Sequence, residues 1–287
     1  MDFTLFRLIN GQVGQSPLID ELFRFFANDY IVPSLLVAML VVGWFSGKFL
    51  ENLPFRALGA WFTKYWFKDL FLGLLIGAGS IGLAALIAMI FGGLSFTYNK
   101  DAGSSAILIT MGASFLVFFF AAAFEEALFR GYILQTFARA NLAWLAIFLT
   151  SILFASVHMQ NPSAGTFSAI NTAIAGIWMG VAYLKTRTLW LVFGVHFAWN
   201  WVMGAFLGIE VSGLTEITSA PLLTEIDSGP SWVTGGDYGL EGGIACTIAL
   251  VISTLFIWYF PWLKPTEEML ELTSTEKTNE NFLARYK

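Results

Sequence analysis

Only two histidines stand in this 287-residue chain, and each belongs to a short cluster of side chains able to do chemistry. The first cluster is Glu125-Glu126-Ala127-Leu128-Phe129-Arg130. The second is Phe154-Ala155-Ser156-Val157-His158, and the third is His196-Phe197-Ala198-Trp199-Asn200. Two carboxylates, two imidazoles and an amide are the parts for activating a water molecule or binding a metal ion. Helix geometry suggests roles. Glu126 and Arg130 are four apart with the acid first, the favourable order for an ion pair on one face. Glu125 points about 100° away from Glu126. It is left without a local cation and suits a general base. His196 and Asn200, also four apart, share a face and can grip one small object.

Each cluster alone has a plainer account. A Glu–Arg pair in an apolar helix is often a structural clasp. A lone histidine is more often packed or snorkelling than reactive, an asparagine is usually interhelical glue, and Phe154 reads as packing. Their joint occurrence is what points to function. The His-Glu-x-x-His zinc protease motif is absent, there is no Gly-rich phosphate loop, and Ser156 beside His158 is a weaker serine-nucleophile alternative.

The elements that position these clusters read as membrane helices. Apolar residues make up 57% of the chain and charged ones 12%, about half the usual charged share of a soluble domain. With 11 Trp and 29 Phe, polar surface is too scarce for a water-facing globule. Seven apolar runs, near 31–47, 70–91, 107–129, 142–158, 169–184, 189–207 and 244–263, have the length and composition of spans. No Asp falls inside them. The segment 48–69, where Trp and Phe alternate with Lys and Arg, is expected to lie as an interfacial helix. The fold class is therefore an all-α polytopic transmembrane helix bundle of about seven spans.

Lys and Arg alternate between connections: four in 48–69, one near 97–105, two in 130–141, none in 159–168, two in 185–188, none in 208–243 and four in the tail. By the positive-inside rule the tail is cytoplasmic and the 208–243 loop, with six acids, is outside. A solvated linker is the plain account of that loop. Gly73-x3-Gly77, Gly176-x3-Gly180 and Gly204-x3-Gly208 mark close helix packing. Counted from the turn at 139–141, Glu125 and His158 lie roughly 22–24 Å along their helices. His196 lies about 12 Å from its own turn. The depths agree if the turn at Arg139 extends about 10 Å past the others.

Three parts follow: 1–105, an N-terminal interfacial segment and two spans; 106–208, a core of four spans carrying all three clusters; and 209–287, the acidic loop, last span and polar tail. The net charge of −5 excludes nucleic acid as a partner, because phosphate binding needs a basic surface. Cys246 is the lone cysteine, so no intrachain disulfide forms.

Glu-Glu-x-x-x-Arg, then Phe-x-x-x-His, then His-x-x-x-Asn, in that order, resembles the CPBP intramembrane protease family, which includes CAAX prenyl endopeptidases and bacteriocin-processing and immunity proteins. The resemblance covers about 107–207. It implies an intramembrane endopeptidase, multi-pass in the plasma membrane, cutting a membrane-associated peptide or protein. In that reading Glu125 deprotonates a water and His158 helps hold it. His196 and Asn200 orient it and stabilise the oxyanion, while Glu126 and Arg130 fix the helix. Whether zinc joins Glu125, His158 and His196 stays open, since such ligands suit zinc and also activate water without metal. The alternative is a non-catalytic membrane scaffold or immunity protein docking through the acidic loop. A small-solute transporter is disfavoured, because no repeats or broken-helix pairs are evident.

Overall fold

The computed structural model describes residues 31–214 and 216–273. The expectations for residues 1–30 and for the tail beyond Thr273 lie outside the described residues. Nine helices are named here: α1 (Ile31–Leu50), α2 (Trp66–Phe91), α3 (Ser104–Glu126), α4 (Tyr132–Arg139), α5 (Ala143–His158), α6 (Thr166–Thr186), α7 (Leu189–Trp201), α8 (Ile244–Tyr259) and α9 (Glu267–Thr273). Each apolar run of the sequence coincides with one of them. Four helical stretches are long and apolar enough to cross a membrane: Trp66–Phe91, Ser104–Arg139, Thr166–Thr186 and Leu189–Phe206. Leu36–Leu50, α5 and α8 are shorter apolar helices. Phe71 and Leu75 on α2, Phe148 and Ile152 on α5, and Val251 and Leu255 on α8 are all exposed. Apolar exposure on this scale suits lipid and not water. The chain is an integral membrane protein, an all-α bundle.

The 36-residue run Ser104–Arg139 would be about 54 Å long if straight, well beyond the roughly 30 Å hydrocarbon core. That length leaves room for the protruding turn which the depth comparison requires. Within it, Ala127–Gly131 winds as a π turn between α3 and α4. A second π turn, Val202–Phe206, follows α7. Such turns often sit at functional sites; the first directly follows the Glu125-Glu126 pair, and the second begins two residues after Asn200.

The small-residue pairs are packing devices. A Cβ on Gly73 or Gly77 would strike the carbonyl oxygens of Leu191 and Val195, so α2 lies directly against the α7 backbone. A Cβ on Gly176 would come within 2.7 Å of Ser151, which brings α6 equally close to α5. These contacts fix the depth of α7 against α2 and that of α6 against α5.

Two expectations need correction. The connection 48–69 holds one 3-10 turn, Phe55–Leu58, in place of an interfacial helix. α2 begins earlier than the hydropathy suggested and takes Asp69 into its first turn, where it is buried and accepts a 3.4 Å hydrogen bond from Thr188 Oγ1. The acidic connection is also folded, not a solvated linker. β2 (Leu223–Asp227) pairs antiparallel with β1 (Leu94–Tyr98), Leu94 opposite Asp227 and Tyr98 opposite Leu223. This ribbon buries Leu94 and anchors the connection over the end of the bundle.

The charge alternation corresponds to a two-ended bundle. At one end Arg56 pairs with Glu268 at 3.0 Å, Lys68 Nζ donates to the Trp262 carbonyl at 3.1 Å, and Arg139 Nε donates to Glu51 at 2.9 Å. At the other end Asn161 Nδ2 donates to the Ser212 carbonyl at 3.0 Å, beside the strand ribbon. The Lys- and Arg-rich connections share the first end, and the acidic connection caps the second.

Candidate active site

Glu126 is the last residue of α3, and Arg130 lies in the π turn that follows. Both are almost fully buried, at 1% and 0% exposure. Arg130 Nη1 donates to Glu126 Oε1 at 3.0 Å, and Nη2 donates to the Gly176 carbonyl of α6 at 3.1 Å. The guanidinium also sits 5.1 Å from the Phe154 ring and 5.6 Å from that of Phe129, a favourable placement for a buried cation. The expected clasp is present, and Phe154 packs against it.

No acid stands near either histidine along the chain, yet His196 has two in space. Its Nδ1–H donates to Glu126 Oε1 at 2.7 Å. The same carboxylate oxygen therefore receives both Arg130 and His196. With Nδ1 committed to that bond, the neutral ring carries its lone pair on Nε2. That nitrogen faces Glu125, with Oε2 at 3.7 Å. Glu125 Oε2 is itself screened from solvent and makes no hydrogen bond.

His158 is oriented by its own helix. Its Nδ1–H donates to the Phe154 carbonyl one turn back at 2.8 Å, and its ring lies 4.4 Å from that of Phe154. The free nitrogen is again Nε2. Ser156 is exposed, and its hydroxyl donates to the Ile152 carbonyl at 2.7 Å. It does not line the cavity, so geometry gives no support to a serine nucleophile.

Glu125, His158, His196 and Asn200 line one cavity of about 290 Å³. Its walls are otherwise largely apolar, with Val117, Phe118, Trp178, Met179 and Leu250 among them. Glu126 and Arg130 stand behind this wall. The structure thus brings together four of the six candidate residues around one space and sets the other two as their support. A carboxylate oxygen without a partner, two imidazole nitrogens and an amide around a shielded pocket can hold and polarise a water molecule beside a bound amide.

Several cavity residues escaped the sequence reading. Asn161, Asn171, Ser212 and Glu241 line its far side. Asn171, an amide inside an apolar run, was the one available signal. Ser212 and Glu241 sit in the acidic connection, and only its folding over the bundle places them at the cavity.

No three His, Cys, Asp or Glu side chains among the described residues converge at metal-ligand spacing.

The chain is similar to "Uncharacterized protein YyaK" of Bacillus subtilis (strain 168), 25% identical over 265 residues, covering 88% of this chain and 79% of that one. No solved structure matches. Residues 105–202 match the family model of type II CAAX prenyl endopeptidases, Rce1-like. That segment contains all three clusters, so the resemblance read from the motifs holds where the cavity is built: the core of this chain is similar to a CAAX-type membrane protease family.

Proposed function

We propose that the protein is an intramembrane endopeptidase that hydrolyses a peptide bond of a membrane-associated protein or peptide with a glutamate-activated water. The observation that carries this reading is the unpartnered Glu125 Oε2, 3.7 Å from His196 Nε2 at the wall of a shielded cavity. In the proposed reaction Glu125 takes a proton from water as its oxygen attacks the scissile carbonyl carbon. His158 holds the water through Nε2. The Asn200 amide donates to the developing oxyanion, aided by His196 when its Nε2 carries a proton. The tetrahedral intermediate collapses with cleavage of the C–N bond, and the proton held by Glu125 passes to the leaving amine. A largely apolar cavity strengthens each of these interactions because the donors are fixed before the charge develops.

Glu126 and Arg130 act in this scheme as positioning residues. The matched family acts on prenylated CAAX substrates, as its description says, so a farnesylated peptide ending in a CAAX sequence is the first substrate to try. The plasma membrane is the proposed location. Purified protein reconstituted in liposomes is incubated with that peptide, and the products are identified by mass spectrometry. Cleavage lost in His158→Ala with folding retained supports the proposal. If no cleavage is detected, and a triple alanine variant at Glu125, His196 and Asn200 leaves the cellular phenotype intact, the scaffold or immunity reading is favoured instead.

A further inference from the structure

Glu241 lies outside the segment that matches the protease family, in the connection just before α8. Its carboxylate nevertheless reaches the helix that carries His196 and Asn200. Oε1 accepts a 2.8 Å hydrogen bond from Trp199 Nε1, on α7 between those two residues. Oε2 accepts from the Ser212 backbone N–H at 2.9 Å and from its hydroxyl at 2.7 Å. The Glu241 carbonyl in turn accepts from Asn171 Nδ2 of α6 at 2.8 Å, and Asn171 also holds the Gly243 carbonyl at 2.8 Å. Trp199 packs edge-on against Trp178 of α6, with centroids 5.4 Å apart.

α7 is thus gripped by carboxylates from two different elements. Glu126 holds it through His196, and Glu241 holds it through Trp199, three residues or about 4.5 Å further along the axis. Three residues along a helix turn through about 300°, so two such anchors fix both the rotation of α7 and its position along its axis. Asn200 directly follows the second anchor. Losing that anchor frees the part of α7 that aims Asn200 and His196 into the cavity.

We infer that Glu241 is a positioning residue, which sets the orientation of His196 and Asn200 through Trp199 and ties the acidic connection down as the far wall of the cavity. This rests on the proposed function for its catalytic meaning, but not for its structural one.

The test uses the scarcity of histidine. Full-length protein labelled at histidine gives imidazole NMR signals from His158 and His196 only, assigned with His158→Gln. In nanodiscs, Glu241→Gln is expected to shift the His196 signal and leave His158 in place. Trp199→Phe removes only the indole contact; it should produce the same shift, and it carries the test if Glu241→Gln misfolds. The double variant should shift His196 by less than the sum of the two single shifts, because both variants act on the Trp199–Glu241 bond. Where the farnesylated peptide is cut, kcat should fall about tenfold with KM changed less than about twofold, and a merely structural role would lower only the folded fraction. Unchanged His196 signals in folded Trp199→Phe and Glu241→Gln protein would overturn the inference. Loss of cleavage in Glu125→Gln with kcat intact in Glu241→Gln would overturn it while sparing the protease reading. Cleavage retained in Glu125→Gln would instead count against the protease reading alone.

Discussion

Oε1 of Glu126 lies 2.7 Å from Nδ1 of His196 and takes the Arg130 guanidinium at 3.0 Å. One oxygen therefore joins α3, the π turn and α7, and it determines which nitrogen of His196 faces Glu125. Removing one member of a buried ion pair leaves an uncompensated charge, at about 3–5 kcal/mol. Glu126→Gln is expected to destabilise the protein by that order and to abolish most turnover, since Arg130 loses its counter-charge and His196 its orientation. Thermal unfolding in detergent together with turnover per folded molecule checks both.

Asn200 lines the cavity on the same helix as His196. Removing one oxyanion donor typically costs about 10²–10³ in kcat. Asn200→Ala should fall in that range with little change in KM or in the unfolding temperature. A loss confined to KM would mean that Asn200 binds the substrate without stabilising the transition state.

The strand ribbon should respond to pH. Burial pushes the Glu225 carboxyl up to about 8, with the nearby Glu210 and Asp227 adding to it. Its proton is therefore held more tightly in the folded state than at the ordinary value of 4.5. The sign follows from linkage: the folded form binds more protons between these values, so the stability contributed by Glu225 falls as pH rises from about 4.5 through about 8. Hydrogen exchange of 94–98 and 223–227, corrected for the intrinsic pH dependence, should speed up over that window. Glu225→Gln should flatten the response.

Close packing of α2 on α7 gives a prediction far from the ionisable groups. Gly77→Val drives a side chain into the Val195 carbonyl, whereas the space around Gly79 is empty within 4 Å. Overpacking typically costs about 1–3 kcal/mol, and a clash with rigid backbone belongs at or above the top of that range. Gly77→Val should lower the unfolding temperature clearly and Gly79→Val much less, as measured by thermal unfolding in the same detergent.

Much of this arrangement was legible in the sequence because lipid imposes simple rules. Apolar length marked the helices, and the rarity of buried charge singled out Glu125, Glu126 and Arg130 before any geometry was known. Helical spacing paired Glu126 with Arg130 correctly. It could not reveal that Glu126 also holds His196, because residues 70 positions apart meet only where α3 packs on α7, with Phe115 and Phe119 against Phe197. Asp69 was missed as a helix residue because hydropathy places a helix start at its apolar run, whereas the backbone begins winding at Trp66. The strand ribbon, Ser212 and Glu241 were missed for a related reason. Loop composition reports polarity, and nothing in it says which neighbour the loop will cover.

Whether Glu125 activates the attacking water is decided by the turnover of Glu125→Gln on the farnesylated peptide in liposomes. General-base catalysis contributes about 10²–10⁴ in rate, and the glutamine keeps the shape of the side chain while removing its basicity. A fall in kcat of at least about a hundredfold, with unfolding temperature unchanged, is the predicted result; turnover equal to that of the unaltered protein would contradict it.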